Sequence, residues 1–161
     1  MVVAQDYVQH DMDASPIFPR WELPGYARIR LGCDAALSAM LLEAASAYVE
    51  SARGLFDSKL ITNQPRVHHG LVASGDRFVS AAVEAQGLRT ALRDAGHDVL
   101  AVEMEGAAVA QVCHDYGLPF AAMRTISDRA DDTAHVDFPA FVNTVATRYA
   151  EHIMQGFLQR L

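Results

Sequence analysis

Carboxylates gather at three points along this 161-residue chain, each at the end of an apolar run. The first cluster is Ser74-Gly75-Asp76-Arg77-Phe78, the second Glu103-Met104-Glu105-Gly106, the third Ser127-Asp128-Arg129-Ala130-Asp131. Carboxyl groups converging on one place transfer protons or stabilise positive charge, and an aromatic side chain beside them offers a flat apolar wall. Ligands of open α/β sheets bind at the carboxyl ends of the strands. Read independently, the three strand ends therefore form a common pocket edge with at least two carboxylates and one aromatic residue. Each cluster also has a purely structural reading. Glu105 suits the first turn of a helix, where the macrodipole favours an acid. Asp128 suits the turn after a strand, Asp76 a turn brace, and Phe78 the core. Their repetition at successive strand ends favours an α/β enzyme with a carboxylate-bearing pocket.

The elements that must position these groups follow from periodicity. Residues 2–8 form a short strand-like run. Residues 14–26 form an irregular loop with three prolines, in which Ile17, Phe18 and Trp21 read as exposed; that loop either folds back on its own core or contacts a second subunit. Asp34 caps a helix over 35–53, with Leu37, Met40, Leu41, Ala44, Ala45 and Tyr48 at helical spacing. A strand over 66–74, a helix over 80–95 closed by Gly96, a strand over 98–104 and a helix over 105–116 closed by Gly117 follow. The run Val99-Leu100-Ala101-Val102 reads as a strand buried on both faces, and 119–126 as another buried strand. An amphipathic helix over 137–161 ends the chain. The alternation predicts a layered α/β domain spanning 1–161 with a largely parallel core.

Composition narrows the function classes. Hydrophobic residues are 51% and charged residues 20%, enough for a real core. The net charge is −7, Lys59 is the only lysine, and the arginines are scattered, so a nucleic-acid surface is not expected. The longest apolar stretch, 35–49, is broken by Glu43 and Ser46, so no membrane span is expected. Residues 1–13 carry acids where a secretory leader has its basic region. Cys33 and Cys113 show neither metal-type spacing nor a disulfide framework, and the expected setting is reducing and cytoplasmic. His10-Asp11-Met12-Asp13 superficially suggests metal ligands, but nothing elsewhere supplies a matching donor. His68 and His69 point to opposite faces of their strand. No metal site and no cofactor are expected.

At this level the motifs resemble a known family. Residues 101–108, around Glu103-Met104-Glu105, are similar to the ribose-binding segment of the nucleoside phosphorylase/nucleosidase superfamily. Arg124-Thr125-Ile126-Ser127-Asp128-Arg129-Ala130-Asp131 resembles the more specific segment of its 5′-methylthioadenosine/S-adenosylhomocysteine nucleosidases. Ser74–Val79 resembles their purine-binding segment, and His10–Asp13 a loop near their dimer interface. The resemblance implies a three-layer α/β/α sandwich with a mixed, largely parallel sheet. It also implies hydrolysis of an N-ribosidic bond with release of adenine, through a transition state of oxocarbenium character. By the same resemblance, Asp128 protonates the leaving purine at N7 with Ser127 hydrogen-bonded to it, and Glu105 holds the ribose hydroxyls. Glu103 and Met104 line the ribose, Phe78 stacks on adenine, the Val79 backbone reads the base edge, and Phe138 lines the 5′-alkylthio pocket. The expected partners are a nucleoside substrate and a second copy of the chain, docked through the 7–26 region.

The chain departs from the family at its beginning. Relatives carry a preceding strand-rich section with a water-activating acid and a glycine-rich turn near the ribose, so an N-terminally truncated form with weak or no turnover on its own is expected. Glu103 is the candidate substitute base, against the structural role usual for an acid beside a helix start. Two other readings stay open: a phosphorylase of the same superfamily, which phosphate dependence would reveal, and a non-catalytic dimer-forming fragment.

Overall fold

The apolar runs assemble into a five-stranded sheet in a computed structural model, which describes residues 1–51, 65–127 and 141–161. Strand β1 (Val2–Gln9) is central. It pairs in parallel with β3 (His68–Ser74), which pairs in parallel with β4 (Val99–Glu103). The other edge of β1 takes two short antiparallel partners, β2 (Arg30–Gly32) and β5 (Met123–Arg124). The sheet is thus mixed, with a parallel centre, as expected.

Helices cover both faces. Val2, Ala4, Tyr7 and Val72 point to one face and pack with Ala107 and Ala110 of α3 (Gly106–Asp115). Val3 points to the other, against α1 (Ala35–Ser51) and the C-terminal helical segment. That segment is π-helical over Val142–Ala146 and continues as α4 (Thr147–Leu158). Val8, Leu71 and Ala73 meet Leu92 of α2 (Ala82–Asp94) on this same face. A register shift between Ala4 and Asp6 explains why Ala4 and Tyr7, three apart, share a face: the irregularity resets the two-residue alternation.

Local signals in the sequence are realised where a single residue dictates geometry. The Asp34 carboxylate accepts a hydrogen bond from the Leu37 N–H at 2.8 Å, capping α1. Gly96 and Gly117 have φ of +83° and +63° just beyond α2 and α3, the left-handed conformation that ends a helix.

Three expectations need correction. Strand β4 is not buried on both faces, because Leu100 is 45% exposed. The register slips beside it, between Leu71 and Val72 of β3, and the Leu100 side chain lies over Gly70. Within 119–126 only Met123–Arg124 is strand; it is half-buried and runs antiparallel to β1. Phe120 and Ala122 use their carbonyls instead to accept from Asp34 N–H and Ala4 N–H. Trp21, read as exposed, is only 5% exposed: its indole N–H donates to the His10 carbonyl at 3.1 Å, and it packs with Val8 and Leu92. Ile17 in the same loop is 82% exposed. The final helix begins within the described residues at Phe141, and 137–140 lie outside them. No described helix is long and apolar enough to cross a membrane.

Candidate active site

Parallel strands β3 and β4 end side by side, and the Gly75 N–H donates to the Glu103 carbonyl at 3.1 Å. This brings the first two carboxylate clusters to one edge. The β4–α3 junction is the more tightly specified. The Glu103 carboxylate accepts from the Gly106 N–H at 2.9 and 3.0 Å and from the Glu105 N–H at 3.3 Å. The buried Ser74 hydroxyl accepts from the Ala107 N–H at 3.0 Å. Orphan N–H groups at the start of α3 are thereby satisfied from two strands. Beneath them lies the Tyr7 ring; a Cβ on Gly106 would sit 2.2 Å from its Cε1. Only glycine allows the helix to start this close to the strand.

Glu105 occupies the N-cap position of α3, but its own side chain makes no capping bond. Its side chain is 66% exposed and turned outward, where one Arg124 nitrogen donates to it at 2.8 Å. The same guanidinium nitrogen pairs with Glu103, whose side chain is nearly buried. Arg124 thus bridges two carboxylates, one structural and one presented to solvent. Burial works against its charge, but Glu103 and then Glu105 more than offset this and hold it firmly protonated. The Tyr7 hydroxyl is buried beside this network; burial, then the Glu103 charge, push it well above the usual phenol range, with Arg124 beside it pulling the other way.

The other expected site residues fall into four groups. Met104 sits at the turn between Glu103 and Glu105, half-exposed. Phe78 is 57% exposed, a ring on the surface and not in the core, while Val79 beside it is buried. Ser127 is half-buried three residues beyond Arg124. Asp128 and Phe138 lie outside the described residues. The structure therefore joins Glu103 and Glu105 through Arg124. Arg124 and Ser74 had no role assigned from sequence, although both lie within the matched segments; the available signal was a cation on the strand facing two acids.

Two cavities flank this edge. One of about 370 Å³ is lined mostly by apolar side chains, Ala73, Val79, Leu88, Val102 and Ile126 among them, together with Arg89. Another of about 380 Å³ lies over His10, Asp11, Arg20, Arg77 and Glu84. Among the described residues no group of three or more His, Cys, Asp or Glu side chains could hold a metal ion.

With this geometry in hand, the similarity to known proteins is specific. The chain is 31% identical to an S-adenosylhomocysteine nucleosidase from Streptococcus pyogenes, solved with 5-methylthiotubericidin; the match covers 99% of this chain and 59% of that one, with a TM-score of 0.79. A 5′-methylthioadenosine/S-adenosylhomocysteine nucleosidase from Neisseria meningitidis, solved with methylthio-immucillin-A, is 28% identical over 99% of this chain and 61% of its own, TM-score 0.80. The futalosine hydrolase of Helicobacter pylori is 30% identical over 99% and 60%, TM-score 0.75. A 5′-methylthioadenosine/S-adenosylhomocysteine nucleosidase of Haemophilus ducreyi is 42% identical over 85 residues, 53% of this chain and 35% of that protein. The chain thus spans about three fifths of the length of these solved relatives. A sequence model of the phosphorylase superfamily matches residues 1–158, and the chain belongs to that superfamily.

Proposed function

We propose that this site hydrolyses the N-ribosidic bond of 5′-methylthioadenosine and S-adenosylhomocysteine, releasing adenine. The observation that carries the reading is Glu105: an acid at the carboxyl end of a parallel strand, relieved of helix capping by Glu103 and held outward by Arg124. A carboxylate so placed accepts hydrogen bonds from two adjacent ribose hydroxyls, and its charge favours a ribosyl ring becoming positive. Asp128 supplies the proton that lets the purine leave neutral, and burial against the base would raise its pKa as that role needs. By the same resemblance, Ser127 is the hydrogen-bonding partner assigned to Asp128. Phe78 stacks on the adenine, the Val79 backbone reads its edge, Met104 lies along the ribose and Phe138 lines the 5′-alkylthio pocket. These roles rest on the resemblance of the segments carrying them.

The partner is a second copy of the chain, meeting it through the 7–26 region. Trp21 belongs to the protomer's own core, so Ile17, exposed on the same loop, is the contact residue. Ile17→Glu should shift sedimentation from dimer toward monomer with the melting temperature unchanged; an unaltered oligomer would remove the loop from the interface. The cytoplasmic setting belongs to the same reading, supported by the free thiols of Cys33 and Cys113.

The test is adenine release from 5′-methylthioadenosine by the purified chain, with and without phosphate, alongside calorimetric binding. Release independent of phosphate supports hydrolysis. Release only with phosphate makes the chain a phosphorylase. Binding without release makes it a nucleoside-binding module, and no binding at all sinks the proposal. Futalosine belongs in the same assay, because the Helicobacter pylori enzyme named for it is as similar to this chain as the nucleosidases are.

A further inference from the structure

We propose that Glu103 is a positioning residue that sets the reach of Glu105 through Arg124, rather than a group that touches substrate. This rests on the reading of Glu105 as the ribose-holding acid. Glu103 is committed on every side the structure shows. One oxygen takes the Gly106 N–H at 2.9 Å; the other takes the Gly106 and Glu105 N–H groups at 3.0 and 3.3 Å, and also Arg124. Its side chain is nearly buried, whereas that of Glu105 is largely exposed. Arg124 uses the same terminal nitrogen for both acids. Its strength toward Glu105 therefore depends on how much of it Glu103 holds.

The arrangement has a chemical consequence. One Arg124 nitrogen on Glu105 orients that carboxylate and leaves its other lone pairs for ribose hydroxyls, while Glu103 anchors the same nitrogen from the buried side. The seat beneath is rigid, because the Tyr7 ring fills the space under Gly106 and the Ser74 hydroxyl fixes the next N–H. The α3 start cannot shift to compensate for a change at Glu103.

The experiment measures affinity for 5′-methylthioadenosine, its 2′,3′-dideoxy counterpart and free adenine by calorimetry in the unsubstituted chain, Glu103→Gln, Glu105→Gln and Arg124→Lys. In parallel, amide exchange at Gly106 is followed without ligand. Glu103→Gln keeps the shape and removes the charge. It should reduce the preference for the parent nucleoside over the dideoxy compound about tenfold, the size of one charged hydrogen bond. Adenine affinity should stay within about twofold, and Gly106 exchange should quicken. Arg124→Lys, which cannot bridge both acids, should lose the same preference. If Glu105→Gln abolishes the preference while Glu103→Gln and Arg124→Lys leave it intact, the positioning role is overturned and the ribose role of Glu105 stands. Equal losses of adenine and ribose affinity in Glu103→Gln also overturn it, as the mark of a merely structural cap. If Glu105→Gln leaves the preference intact, or the unsubstituted chain shows none, the ribose reading itself fails.

Discussion

The two parallel strand ends that form the site edge are built by different means. At the β4–α3 junction, side chains do the work: Glu103 and Ser74 bond the first N–H groups of α3, and Tyr7 packs under Gly106. At the β3–α2 junction the loop from Gly75 to Ala81 relies on close approach. Gly75 abuts His10 and Asp11, the Asp76 N–H donates to Asp11 at 2.6 Å, and α2 begins at Ala82 without a side-chain cap. His10 is 5% exposed, and its Nε2, like Asp11 Oδ1, has no hydrogen-bond partner. The difference teaches where precision lies. The junction carrying the presented acid is over-determined, while the junction carrying Phe78 is tied by the single Asp11 carboxylate and by packing, and that ring is 57% exposed.

Substitution at the two glycines separates these designs most strongly. In Gly106→Ala the new methyl meets a ring carbon of Tyr7, the most bulky of the fully buried side chains, and should cost about 3 kcal/mol in urea unfolding. In Gly75→Ala it meets the tips of His10 and Asp11 at 2.6 Å, which swing aside more readily, so about 1–2 kcal/mol is expected. The reverse order would show that the Tyr7 seat is not the rigid one. Tyr7→Ala should recover most of the Gly106→Ala clash in a double-mutant cycle.

The junctions also answer to opposite ends of the pH scale. The Tyr7 hydroxyl is raised by burial and by Glu103, so its contribution is present in full below the ordinary phenol value of about 10. It is lost as pH rises toward the folded value, because the unfolded chain ionises first. Tyr149, pushed up to about 12 by burial and then by Tyr48, adds to the same limb. Stability should therefore fall above pH 10, by up to about 1.4 kcal/mol per pH unit for each such tyrosine. Tyr7→Phe should make that fall shallower; an unchanged limb would mean that Tyr7 ionises freely in the folded chain. The smallest effect belongs to His10, held below the ordinary imidazole value of 6.5 chiefly by burial. The sign is opposite: neutral His10 contributes stability above the unfolded value, lost as pH falls through the folded one. A ring-proton titration should place His10 below the ordinary imidazole value; a midpoint at or above that value would show that its burial carries no cost.

How much of this was legible in the sequence depended on range. Asp34, Gly96 and Gly117 act on their immediate neighbours, and each was readable because its chemistry is local. The ends of β3 and β4 were readable for the same reason, since apolar runs stop where polar clusters begin. Leu100 was misread because a register slip is a property of two strands and not of one. Trp21 was misread because an aromatic in a proline-rich loop gives no sign of the carbonyl, eleven residues back, that its indole will meet. Arg124 stayed without a role because its partners stand 19 and 21 residues away in the chain. Fold class thus came from pattern, whereas the bonds that tie Glu103 into the start of α3 and leave Glu105 exposed needed coordinates.

The proposed function rests on Glu105 meeting a ribose. Its most direct test is the affinity of the unsubstituted chain for 5′-methylthioadenosine against the 2′,3′-dideoxy compound. Loss of both hydroxyls should weaken binding at least about tenfold, the value of a charge-assisted hydrogen bond. Equal affinity for the two compounds would contradict it.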